Sequence, residues 1–320
     1  ATYDGVVTIG NGNKRASVTN IIVENANTAT LALRGIDTEY DGNVNINSDS
    51  INLVVDDTVP RDDAASWKNY GIYAYANGKV DFNADNIFLT TSNGYGIYAE
   101  FGSDVEFSSK NTEINSKDGV GIYAAAEWEG AEDTVDLLAT ENNTIKAGMV
   151  TDGFGDNYAI RALNAGKVTL EAGNQNALYG AVYVRDLDTA VTINGAANYV
   201  QSSAIIDKAG GLTDTNVISA LYAENGAKIN VTGNNTILSY ADVNKPEDLE
   251  RVVWAYKTAD IAIDGTTIIS TDTYDKSANS NDIAIAAGTA TGLNEGMVNA
   301  YVPDRATVSV GKLQVEFEQP

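Results

Sequence analysis

The chain has 320 residues, 43% of them hydrophobic, with 44 acidic against 20 basic side chains for a formal charge of −24. That surplus repels phosphate backbones and anionic bilayers, and no basic stripe offsets it, so no nucleic acid is expected among its partners. Cysteine and histidine are both absent, which removes disulfides, thiolate zinc sites, cysteine nucleophiles and the usual general base near neutral pH.

From the N-terminus onward the sequence is a string of short alternating runs. Thr30-Leu31-Ala32-Leu33 comes first, with Val44-Asn45-Ile46 behind it. Three near-identical copies follow at a fixed interval of 25 residues (71, 96, 121): Gly71-Ile72-Tyr73-Ala74, Gly96-Ile97-Tyr98-Ala99 and Gly121-Ile122-Tyr123-Ala124. Their second runs are Val80-Asp81-Phe82, Val105-Glu106-Phe107 and, after a longer loop, Val135-Asp136-Leu137. The letters then drift while the spacing persists. Ala159-Ile160-Arg161-Ala162 leads to Val168-Thr169-Leu170, and Ala181-Val182-Tyr183-Val184 to Val191-Thr192-Ile193. Ala220-Leu221-Tyr222-Ala223 leads to Ile229-Asn230-Val231, and Val252-Val253-Trp254-Ala255 to Ile261-Ala262-Ile263. Asp282-Ile283-Ala284-Ile285 is a weak last copy. A third run closes several units, as in Asn143-Thr144-Ile145, Asn235-Thr236-Ile237 and Thr266-Thr267-Ile268.

Self-similarity at this period marks a repeat architecture, in which one unit cannot bury its apolar face without neighbours. Period-two runs rich in Val, Ile, Thr and Tyr, joined by Gly, Asn, Asp and Ser, are strands and turns. Three such strands per unit predict an all-β fold: a right-handed parallel β-helix, or solenoid, of about ten coils. At roughly 4.8 Å per coil it makes a rod on the order of 50 Å long. Residues 1–320 read as a single domain, since the four prolines are scattered and no low-complexity tract separates halves. Helical repeats do not fit, and a propeller blade needs about 40 residues.

Alternation assigns faces. Burying Ile72, Ile97 and Ile122 turns the Ala two places on inward and the Tyr outward. Arg161 at the Tyr position agrees, because an unpaired guanidinium is costly inside. The outward column is Tyr73, Tyr98, Tyr123, Arg161, Tyr183, Tyr222 and Trp254, all expected to face solvent. It reads either as a stacking ladder that ties coils together or as an exposed stripe that docks a partner. On the second run Val80, Phe82, Val105, Phe107, Val168 and Leu170 are expected in the core, with Asp81, Glu106 and Asp136 in water.

Five insertions, at 56–69, 147–157, 201–218, 241–251 and 271–281, all fall after a third run and before the next Gly-Ile-Tyr-Ala equivalent. They are expected along one edge of the rod, beside the column. Pro246 to Arg251 reads as a short helix, with Pro in the first turn and acids at the N-terminus. The stacked Asp81, Glu106 and Asp136 suggest weak calcium binding at most, since no ligand spacing resembles a calcium loop. Asp152, Asp156, Asp207 and Asp214 lie in loops with no evident partner. No nucleophile elbow or phosphate-binding loop is present.

The degenerate Gly-Ile-Tyr-Ala … Gly-Lys-Val-Asp-Phe … Asn-Thr-Ile units resemble the passenger domains of autotransporter proteins from Gram-negative bacteria, most clearly over residues 70 to 270. The resemblance implies a pectin-lyase-like β-helix, exported through the outer membrane by a C-terminal β-barrel and displayed at the cell surface or released. A chain without cysteine suits that passage. No alternating membrane strands follow Phe317, so this stretch is expected to be passenger alone, with no direct membrane insertion. With no histidine for a triad, a serine-protease domain does not fit.

The expected function is therefore adhesion or self-association, acting through binding rather than catalysis. Weak contacts repeated along a stiff rod sum to avidity, against a host or bacterial surface protein or glycan, or another copy of the chain, giving aggregation or biofilm. A polysaccharide-degrading lyase or hydrolase on the same scaffold is the alternative, since paired carboxylates suffice for glycoside hydrolysis. A purely structural stalk is the third reading.

Overall fold

The computed structural model describes residues 5–10, 15–25, 32–57, 69–126, 131–148, 157–206, 217–239, 249–271, 283–287 and 306–317. Every regular element among them is a β-strand, and the strands fall into two sheets that the chain visits in turn.

One sheet is built from long strands. Asn43–Asp57, Lys79–Thr91, Asp104–Ser116, Thr134–Ala147, Lys167–Tyr179, Ala190–Ser202, Lys228–Ser239, Asp260–Thr271 and Thr307–Phe317 lie side by side in chain order, all parallel. Val6–Ile9 and Thr19–Asn25 both pair with Asn43–Asp57, also in parallel. The other sheet holds short strands: Arg34–Glu39, Asn69–Tyr75, Gly94–Glu100, Gly119–Ala125, Tyr158–Leu163, Ala181–Arg185, Leu221–Glu224, Leu249–Tyr256 and Ile283–Ala287. Each short strand is followed by a long one, and each return lands one place along its sheet. Parallel neighbours linked through a crossover need this alternation, and it is the pattern of a parallel β-solenoid.

The expected three strands per unit become two, because the second and third runs form one continuous long strand. The bend between them is held by side chains. Asn143, Asn176, Asn198, Asn235 and Thr267 occupy one buried column, paired coil to coil. Each Asn donates from Nδ2 to a carbonyl at the bend of the next coil: Glu171 (2.8 Å), Asn194 (3.0 Å), Thr232 (2.8 Å) and Asp264 (3.0 Å). The same Nδ2 atoms reach along the column to Asn176 Oδ1, Asn198 Oδ1, Asn235 Oδ1 and Thr267 Oγ1 at 2.8–3.1 Å. Three of these four bends break strand register, between Ala172 and Gln175, Asn194 and Ala197, and Ile263 and Thr266. The carbonyls there are part-buried and turned towards the column; they need a donor, and the asparagine amide supplies it.

Between the sheets runs a continuous apolar core. Ile72, Ile97 and Ile122 are buried, as are Ala74, Ala99 and Ala124 two places on, and Phe82 stacks on Phe107 at 4.8 Å. Val80, Val105, Val168 and Leu170 join them, while Asp81 and Glu106 are exposed and Asp136 is half-buried. The glycine that opens each motif has a steric cause. A Cβ on Gly71 would come 2.6 Å from both Gly96 O and Leu89 Cδ2; one on Gly96 would come 2.5 Å from Ile114 Cγ2 and 2.6 Å from Gly121 O. The short strand presses against the long one with no room for a methyl group.

Register corrects four readings. The first short strand aligns Ile36 with Ile72, so its motif is Gly35-Ile36-Asp37-Thr38 and not Thr30–Leu33. Alternation alone matched either; only the glycine column separates them. The last aligns Ile285 with Val253, two residues later than Asp282–Ile285 implied. Thr267, rather than Thr266, opens the final third run. Leu249, Glu250 and Arg251 belong to a strand, not a short helix, because pairing with Val217–Ile218 and Ile283–Ala287 outweighs local propensity.

Each expected insertion does lie between the end of a long strand and the start of the next short one. Most of their residues (58–68, 149–156, 207–216, 241–248 and 272–281), with Asp152, Asp156, Asp207 and Asp214 among them, fall outside the described residues.

Candidate functional site

The expected column forms in register on the outer face of the short-strand sheet. Asp37, Tyr73, Tyr98, Tyr123, Arg161, Tyr183, Tyr222, Trp254 and Ala286 are successive partners. All turn away from the main core, as alternation required.

Their exposure divides the column in two. Tyr73, Tyr98, Tyr123 and Arg161 are half-buried, whereas Tyr183 is 8% exposed and Tyr222 and Trp254 are fully buried. Solvent exposure along the whole column is thus wrong for its last three members. A second apolar cluster runs along the column: Tyr95 and Val120 belong to it with Tyr158, Tyr183, Tyr222, Trp254 and Tyr256, Tyr70, Tyr98 and Tyr123 pack against it, and Ala204, Ile206 and Val217 complete it at the far half. Ile205–Ile206 pairs antiparallel with Val217–Ile218, which in turn pairs with Leu249–Tyr256. The insertion at 201–218 therefore folds a small hairpin over the far half of the column. Its Ala204-Ile205-Ile206 and Val217-Ile218 runs were the signal that it packs.

The less covered half is a connected aromatic array, with Tyr70, Tyr73, Tyr98 and Tyr123 half-buried and Tyr95 buried. Tyr73 stacks on Tyr98 at 5.4 Å and Tyr98 on Tyr123 at 4.7 Å, with planes within 9°. A parallel column, missed in the sequence, adds Tyr70 on Tyr95 at 5.5 Å. Tyr70 meets Tyr73 and Tyr98 edge-on at 5.0 and 5.2 Å, and Tyr95 meets Tyr98 at 5.1 Å. Tyr75 stacks on Tyr73 and takes Phe101 edge-on at 4.8 Å. The Tyr immediately before Gly71 and Gly96 was visible as Tyr-Gly-Ile-Tyr, and strict alternation hid its face. Such pairs contribute about 0.5–1.5 kcal/mol each beyond area burial, so the surface is ordered before any partner arrives.

Charged groups bracket it. Arg34 lies 3.8 Å over the Tyr73 ring and is fixed by ion pairs to Asp37 (2.8 Å) and Glu39 (2.7 Å). Burial holds the Tyr98 hydroxyl far above its ordinary pKa, and its hydrogen bond to Glu100 adds to this. Burial does the same at Tyr73, against the opposing pull of Arg34. Both phenols stay neutral donors at any physiological pH. Arg161 sits between Tyr158 (5.6 Å) and Tyr183 (5.8 Å), and Arg251, 7% exposed, lies 5.1 Å over Trp254.

Asp81, Glu106 and Asp136 are adjacent in register. Partial desolvation by its neighbours, then the charge of Asp104, raises the Asp81 carboxyl above its ordinary value, although the side chain stays exposed. Among the described residues no group of three or more Asp or Glu is placed to hold a metal ion.

No family model, characterised protein or solved structure matches this chain.

Proposed function

We propose that the chain is a right-handed parallel β-helix of about ten coils that works as a surface adhesin, in the manner of the autotransporter passengers its repeats resemble. It would be exported through a Gram-negative outer membrane and hold to a surface protein, a surface glycan or another copy of itself. The observation that supports this reading is the half-buried tyrosine ladder Tyr73–Tyr98–Tyr123 with Tyr70 beside it, backed by the buried Tyr95. Stiff amphipathic rings, already stacked, lose little conformational entropy on contact. Repetition at one strand spacing suits many weak contacts summed over two aligned rods.

The charge of −24 opposes association of like rods, and salt or divalent cations screen it. Aggregation of cells displaying the chain should therefore strengthen with ionic strength or calcium. The test is the pair Tyr98→Ser and Tyr123→Ser: adhesion or aggregation should fall while far-UV circular dichroism keeps its strand signature. Undiminished adhesion by a folded double variant would sink the reading.

A further inference from the structure

The two halves of the ring column are built alike. Tyr183 stacks on Tyr222 at 5.5 Å with planes 7° apart, as Tyr98 stacks on Tyr123 at 4.7 Å and 7°. Two places on from the ring stands a glutamate in each half, in Tyr98-Ala99-Glu100 and in Tyr222-Ala223-Glu224. Glu224 accepts from the hydroxyls of Tyr222 (2.8 Å) and Tyr183 (3.1 Å), and Glu100 from that of Tyr98. What the far half has in addition is a cover. Ala204, Ile206 and Val217 lie against its rings, all three buried, brought there by the short extended runs Ile205–Ile206 and Val217–Ile218.

Two features of the near stretch, Tyr73–Tyr98–Tyr123, select what covers it. The first is the stacking itself, which turns ring faces onto one another and leaves edges towards the partner. At the near end Arg34 covers the Tyr73 ring at 3.8 Å. A sugar that lays its C–H side on an aromatic plate finds no free plate within such a stack. The second is the phenol proton. Tyr98 gives its proton to Glu100 inside the protein, so that ring meets a partner with no donor left to match. Sealing such a pair under apolar atoms strands no polar group. Tyr222, fully buried with its hydroxyl on Glu224, is that case already realised.

We infer that the near stretch takes an extended, aliphatic segment of a partner protein, as the far stretch takes the chain's own hairpin. Ala, Ile and Val side chains of that segment lie on the ring edges of Tyr73, Tyr98 and Tyr123. The inference rests on the adhesin reading and narrows it to a protein partner over a glycan. Three rungs at one strand spacing, roughly 4.8 Å, make a strip far smaller than a stable interface needs. Each contact is therefore weak, and repetition between surfaces supplies the hold.

The test is an NMR titration of the full chain with a synthetic peptide of residues 201–206, one run of the cover supplied in trans, and with methyl glucoside and methyl galactoside as controls. The peptide should bind saturably, with Kd on the order of 1 mM, and shift the amides of Tyr98 and Tyr123. Ile206→Ser in the peptide should abolish the shift. In the chain, Tyr98→Ser should weaken binding about tenfold or more, and Tyr98→Phe, which keeps the ring edge, should restore it. Should Tyr98→Ser fail to fold, Tyr123→Ser decides instead. No saturable shift, shifts confined to the far half around Tyr222 and Trp254, tighter binding of a glycoside, or unchanged affinity in the folded variants would each overturn the assignment. Peptide binding with adhesion intact in the Tyr98→Ser, Tyr123→Ser double variant would sink the adhesin reading alone. Adhesion lost in that variant without peptide binding by the wild type would sink this inference alone.

Discussion

Asn176 donates from Nδ2 to Asn198 Oδ1 across 2.9 Å, and both side chains are buried. The pair is the middle rung of a column that feeds the bend of each long strand, so removing one amide orphans groups on two coils. Asn198→Ala should lower stability by about 2–4 kcal/mol, through the loss of the two column hydrogen bonds, to Asn176 and Asn235, and the Thr232 carbonyl left unmatched. Asn198→Asp should cost at least as much, because a buried carboxylate gives up the donor that Thr232 O needs. Denaturant midpoints measure both; a change below about 0.5 kcal/mol would refute the bend's dependence on the column.

The motif glycine is a matter of space. Gly96→Ala must push Ile114 or the Gly121 carbonyl aside, and should cost about 1–3 kcal/mol by overpacking. Ala99→Gly, three places on, is a control that creates a small void without a clash. Thermal melts in which the glycine variant is the more stable would show that the two strands are not pressed together as described.

Asp133 is buried and accepts the Ser103 N–H at 2.6 Å, with Oδ2 unmatched. Burial pushes its carboxyl up to about 6 from an ordinary 3.8, against the lowering effect of backbone donors at Ser103, Gly102 and Phe101. Between those values the folded chain keeps a proton that the unfolded chain has released. Stability should fall as pH rises from about 4 to about 6 and then level off, by on the order of 2 kcal/mol. Asp133→Asn keeps an acceptor for Ser103 and should remove this component. The check is the wild-type-minus-variant difference in unfolding free energy across that range; a difference that stays flat would rule out the buried proton.

The two halves of the ring column should respond differently to truncation. Trp254→Ala leaves a void in the second cluster and should cost about 3–5 kcal/mol. Tyr123→Ser, on the half-buried stretch, should cost clearly less and show its main effect in adhesion. Equal destabilisation by the two would mean that the open ladder is structural throughout.

Much of this fold was legible because a solenoid writes its register into spacing. Ile72, Ile97 and Ile122 with their alanines fixed the inner face, and that face alone implies parallel stacking. The bend was not legible, since Asn143, Asn176, Asn198 and Asn235 look like turn residues, and only their burial shows that they serve the backbone from inside. Among the site residues, the direction of Tyr222 and Trp254 followed from alternation, but their covering did not. An outward side chain meets solvent only if nothing folds back, and the segment that folds back sits outside the repeat. Tyr70 and Tyr95 were missed for a related reason: they stand two places before Ile72 and Ile97, so strict alternation puts them on the inner face, yet they join the outer cluster with Tyr98 and Tyr123.

The hairpin formed by Ile205–Ile206 and Val217–Ile218 acts as a sheath on an otherwise continuous row of rings. Where it stops, the half-buried stretch of rings starts, so the reach of that stretch is set by one peripheral excursion and not by the coils beneath. Trimming or lengthening the excursion would change how much of that row meets solvent, while leaving the two sheets beneath untouched.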